Sequence, residues 1–157
     1  MKISDLLSFL LVLTVISVSG QQTGIEKQAV MIENQSSYGF TETMEVLSKT
    51  IAEKGWKITV IHDLQETMKK NGKEVLPVKV IELCNPAHAF GILSKDEYRD
   101  VSPMLPCRIS VYEKSDGNTY VSRMNAPAFA AMIGGDAAAT MVKAYNETEE
   151  MLKLVLQ

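Results

Sequence analysis

Residues 76–114 read LPVKVIELCNPAHAFGILSKDEYRDVSPMLPCRISVYEK, and their reading decides the fold. Val78, Val80 and Ile81 lead to Cys84 as a strand. Asn85-Pro86 breaks it, because proline at a first helical position behind an Asn cap starts a helix rather than prolonging a strand. Ala87-His88-Ala89-Phe90 is the first turn of that helix. Met104-Leu105-Pro106 then brings the chain to Cys107 and the alternating run Ile109-Ser110-Val111-Tyr112, a second strand. The stretch holds both cysteines and one of the two histidines of the chain.

Working outward, Ser115-Asp116-Gly117-Asn118 is a hairpin turn joining this strand to Thr119–Met124. Asn125-Ala126-Pro127 opens a helix through Ile133, Gly134-Gly135-Asp136 interrupts it, and a final helix runs from about Ala137 to Gln157. Toward the amino terminus, residues 27–34 suit a strand. Phe40, Met44, Leu47 and Ile51 then mark a helix by their period, with Gly55 as its stop. Trp56–Ile61 alternates as a strand, and Leu64–Asn71 is a short amphipathic helix. The order β-α-β-(α)-β-α-β-β-α-α predicts an α+β two-layer sandwich. The 157 residues make one domain over 21–157, with 46% hydrophobic and 22% charged residues.

A net charge of −3, with no clustered Lys or Arg, excludes nucleic acid and an anionic membrane surface as partners. The apolar run Leu6–Val18, followed by Val18-Ser19-Gly20, reads as an export signal over residues 1–20. Cleavage after Gly20 puts the domain in the periplasm or outside the cell, with no transmembrane span in the mature chain. Such a compartment permits a disulfide between the two cysteines, and a reduced dithiol is the alternative.

Cys84 sits just before a helix start, where unpaired N–H groups favour a thiolate, and His88 is four residues on. Cys84, His88 and Cys107 are therefore candidate redox residues or soft-metal ligands. With an acid such as Asp96 they are the only clustered candidates, and the spacing matches no zinc signature. The opposing reading is a core cysteine and an exposed histidine. Arg108 and Arg123 are candidates for an anion, or for cross-strand pairs with Glu82 or Glu113. His62-Asp63 reads as a strand-end cap before it reads as a base. Gly134-Gly135 does not follow a strand and is no dinucleotide loop. No nucleophile–base–acid set stands out, so no enzymatic activity and no cofactor is assigned.

The segments E-L-C-N-P with H-A-F (82–86, 88–90), L-P-C-R-I-S-V-Y-E (105–113) and S-R-M-N (122–125) resemble the domain-of-unknown-function family numbered 302. Cys84, Asn85, Pro86 and Cys107 match its motif positions. The resemblance implies a curved antiparallel sheet with helices on one face, similar to the TATA-binding-protein fold, and a homodimer. It implies no activity. Three functions are left open. One is an exported module binding a small hydrophobic or metal-containing ligand, with Cys84, Asn85, His88, Cys107 and Arg108 as candidate contacts. The second is a thiol-redox or metal-handling protein. The third is a structural dimer that docks envelope proteins.

Overall fold

The computed structural model describes residues 30–157; the export-signal reading lies outside them. Among the described residues eleven elements follow one another. They are β1 (Met31–Gln35), α1 (Phe40–Glu53), β2 (Lys57–Asp63), α2 (Leu64–Lys70), β3 (Val78–Cys84), α3 (Pro86–Leu93), a 3-10 helix (Asp96–Met104), β4 (Cys107–Glu113), β5 (Thr119–Met124), α4 (Ala126–Ile133) and α5 (Gly135–Leu152). The five strands form one sheet in the order β1-β5-β4-β3-β2, and every neighbouring pair is antiparallel. The fold is α+β, as the sequence predicts. The segment before Cys107 differs: it winds into nine residues of 3-10 helix where the sequence suggested a loop.

Alternation along the strands fixes which face is inward. Ile81 and Leu83 of β3, Ile109 and Val111 of β4 and Val121 of β5 are fully buried. Ile81 is paired with Ile109 and Val111 with Val121, so these side chains stand in rows on one face. Against that face α1 lays Leu47 and Ile51, and α5 lays Ala144, Met151 and Leu152, closing the main core. The apolar stripe that marked α1 in the sequence is the stripe it buries. Past α5 the chain returns to β1: Ser37 N–H donates to the Val155 carbonyl at 2.7 Å, and the buried Ser36 hydroxyl donates to the same oxygen at 3.0 Å.

A second, smaller core lies to the side. Ile92 of α3, Ala130 of α4, and Ala137 and Met141 of α5 form it, with Tyr98 and Met104 from the 3-10 helix packed against them. Glycine is required where α4 turns into α5. Gly134 and Gly135 have φ of +73° and +61°, and a Cβ on Gly135 would fall 2.5 Å from the Tyr98 hydroxyl. That hydroxyl accepts the Asp136 N–H at 3.3 Å, and Lys95 reaches the Asp136 carboxylate at 2.5 Å. The 3-10 segment is thus tied to the amino terminus of α5.

One charge points into the main layer. Arg123 shares the Ile109 row of β5 and is 6% exposed. Its Nε and Nη2 donate to the two oxygens of Glu149 on α5, at 2.8 and 2.6 Å, and Nη1 donates to Asn34 Oδ1 on β1 at 2.5 Å. The sequence made Arg123 a candidate for an anion or for a cross-strand pair with Glu82 or Glu113. Its acid is instead Glu149, from a helix, because its place in the alternation turns it inward, where desolvation demands a fixed partner. Glu149→Ala should therefore cost about 3 kcal/mol by leaving a buried guanidinium unpaired, whereas the double change Arg123→Met, Glu149→Leu should restore most of it. Urea unfolding midpoints at unchanged slope measure both; equal losses in the two variants would contradict the account.

Candidate functional site

The two cores meet at a cleft of about 300 Å³. From the main core it is walled by Trp56, Leu83 and Ala144, and from the helical core by Ile92, Met104 and Met141. Helix α5 runs past both, with Met141 in one core and Ala144, one turn on, in the other. The strands supply side chains of both alternations. Cys107 and Arg123 belong to the inward set, whereas Val80, Ser110 and Ser122 are a cross-strand row of the outward set.

The junction read from the sequence is built as expected. Cys84 ends β3, Asn85 Oδ1 accepts the Ala87 N–H at 3.0 Å, and Pro86 opens α3. Cys84, Asn85, His88, Cys107 and Arg108 all line the cleft, so the five residues singled out in the sequence come to one place. Both cysteines are free thiols, and Cys107 stands opposite Leu83 in the ladder, not opposite Cys84. Asp96 is 93% exposed, paired with Arg99, and no part of the cleft wall. Among the described residues no group of three or more His, Cys, Asp or Glu side chains is placed to hold a metal ion.

His88 is not on an exposed face. It lies 14% exposed, with Nε2 3.0 Å from Glu147 Oε2. The indole N–H of Trp56 donates to that same oxygen at 3.0 Å, and the two rings stand 5.7 Å apart, tilted by 52°. One carboxylate therefore fixes two of the rings that line the cleft. Burial opposes ionisation of Glu147, but the hydrogen bonds from His88 and Trp56 outweigh it and hold its pKa below the usual glutamate value. Arg108 pairs with Glu82 across β3 and β4 at 2.8 Å, one of the alternatives read from the sequence, and His62 approaches the same carboxylate at 3.3 Å. Asp63 caps α2 by accepting the Glu66 N–H at 2.8 Å, so the His62-Asp63 pair is structural on the Asp63 side.

Trp56, Glu147 and Glu149 were missed in the sequence. Trp56 is the chain's one tryptophan, behind a glycine stop, and read only as the start of a strand. Glu147 and Glu149 sit in the run N-E-T-E-E, which looks solvated. The signal was periodicity: Glu147 is three residues past buried Ala144 and four before buried Met151, hence beside the packed stripe.

The medium inside the cleft is read from Cys107. Burial, with a smaller contribution from the Cys84 sulfur, pushes its thiol pKa up to about 11 from 9.0. Because the folded thiol holds its proton longer than the unfolded one, its contribution to stability is full below pH 9.0 and lost as the pH climbs to about 11. In a Cys84→Ser background, Cys107 should be alkylated by iodoacetamide at pH 8 about 100-fold more slowly folded than in urea, following its thiolate fraction. Equal rates would show that the cleft does not desolvate it.

The described fold is similar to a solved structure, an uncharacterised conserved protein DUF302 from Bacillus stearothermophilus. The TM-score is 0.69 at 22% identity, covering 78% of this chain and 95% of that one. That likeness concerns the fold alone. No curated protein matches the chain. The model of one family, "Domain of unknown function DUF302", matches residues 32–157, from β1 to the carboxyl end and so including every residue of the cleft but Met31, and the chain belongs to that family.

Proposed function

We propose that the domain is a binding module for a small apolar molecule, held in the cleft between the two cores. The carrying observation is the cleft itself: about 300 Å³, walled chiefly by apolar side chains, with a few fixed polar groups at His88, Asn85, Arg108 and Arg123. That is the composition of ligand sites, and the volume stands at the low end of their range of about 300–1,000 Å³. The thiol-redox and metal-handling alternatives have less support. Cys107 keeps its proton to about pH 11, and thiolate chemistry needs the anion.

Export and self-association belong to the same reading as proposals. The first rests on Leu6–Val18 and the small residues behind it, the second on the family resemblance. Native mass spectrometry of protein taken from its own cells should give a subunit beginning at Gln21 and a species of twice its mass. A subunit retaining residues 1–20 in a soluble cytoplasmic fraction would count against export, and a monomer at micromolar concentration against the dimer.

Binding is measurable through Trp56, the single tryptophan, which lines the cleft. Titration with N-phenylnaphthylamine, an uncharged apolar probe, should quench its emission to saturation at one probe per domain. Ala89→Phe and Ala144→Phe place a ring inside the same space and should each weaken binding at least tenfold. Undiminished binding in both folded variants would refute the cleft as the site.

A further inference from the structure

Resting on the reading of the cleft as a ligand site, we infer that its ligand is an uncharged, polarisable molecule such as an aromatic ring system, and that charged analogues of the same shape are refused. The first support is the charge census. Among the described residues lining the cleft there is no Asp, Glu or Lys, and the basic groups are Arg108, Arg123 and His88. Each already has a carboxylate: Glu82 at 2.8 Å, Glu149 at 2.6 Å and Glu147 at 3.0 Å, respectively. An entering anion meets basic groups whose charge these acids already neutralise, so little attraction is left to offset its desolvation among apolar walls. A cation finds no acid on the wall. Neutral molecules meet neither cost.

The second support is the material of the walls. Met31 of β1, Met104 of the 3-10 helix, Met124 of β5 and Met141 of α5 line the cleft, four of the chain's nine methionines converging from four elements. Thioethers are polarisable, make favourable contacts with aromatic rings, and reshape around irregular guests because the side chain is unbranched. Opposite chemistry comes from two rings held in place, Trp56 and His88, both bonded to Glu147. The high pKa of the Cys107 thiol agrees with a medium that disfavours charge.

The test is a matched set titrated by calorimetry at pH 7: 2-naphthol, 2-naphthoate and 2-naphthylmethylammonium, of similar shape and of charge zero, minus one and plus one. The expected result is 2-naphthol bound at least tenfold tighter than either ion. In Glu82→Gln, which releases Arg108, the gap between naphthol and naphthoate should narrow several-fold. Naphthoate or the ammonium binding as well as naphthol, or a gap indifferent to Glu82→Gln, overturns the inference while leaving a cleft that N-phenylnaphthylamine saturates. Saturable N-phenylnaphthylamine with no heat from 2-naphthol overturns it as well. Failure of both uncharged probes removes the ligand site and this inference together.

Discussion

A single helix has to serve two cores at once, and the rest of the molecule follows from that constraint. Helix α5 packs its carboxyl half, through Ala144, Met151 and Leu152, onto the inward face of the sheet. Its amino half, through Ala137 and Met141, packs onto α3 and α4. A sheet surface and a helix pair present differently shaped partners, and one helix of 18 residues meets both along one stripe. Interiors close to crystal density wherever matched surfaces meet, and gaps collect where surfaces of different shape meet. The cleft lies at that boundary.

The polar groups near the boundary obey one rule: each charge on the sheet or helix wall is matched from the neighbouring element. Glu149 on α5 answers Arg123 on β5, Glu147 on α5 answers His88 on α3, and Glu82 on β3 answers Arg108 on β4. These contacts bridge elements whose sequence separations are 26, 59 and 26 residues. An exposed pair such as Arg108–Glu82 is screened by solvent and contributes little to stability, so it matters more for the cleft's neutrality than for its strength. The buried Arg123–Glu149 pair acts differently. Its net worth against apolar residues is small, yet breaking it is costly, so it fixes the rotation of α5 over β5. That rotation in turn brings Glu147 to the two rings.

Much of this was legible in the sequence where the signal is local. The Asn85-Pro86 junction, the hairpin at 115–118 and the stripe of α1 each depend on residues within a few positions of one another. Candidate residues in the Cys84–Arg108 stretch were found for the same reason, since the strand-break-helix unit delivers them to one end of the sheet. Hydrogen-bond partners were another matter. His88 and Glu147 are 59 residues apart, and Trp56 and Glu147 are 91, so no local pattern joins them. Nor does a run of acids near a carboxyl terminus say which one turns inward until the helix phase is set by packing. The 3-10 segment escaped for a related reason: Asp96–Met104 is polar with Pro103 inside it, and its Tyr98 packs against Gly135, 37 residues away.

Small residues on the cleft wall help to make the space. Ala89 lies on α3, Ala126 on α4 and Ala144 on α5, and all three line it. Helix propensity does not require alanine there, because leucine and methionine stand within a few tenths of a kcal/mol of it. Volume is the larger consideration. Leucine at Ala144 would add three carbons to a site only 7% exposed, and each buried methylene is worth about 0.8 kcal/mol, or roughly 2 kcal/mol in all. For a domain whose net stability is about 5–15 kcal/mol, that is a large gain forgone at one position, and the wall offers three. Ordinary gap-filling residues are present as well, since four methionines already reach the cleft and leave about 300 Å³ between them. Side chains able to close the space are in place around it, and the alanines keep it open, which supports the proposal of a ligand there.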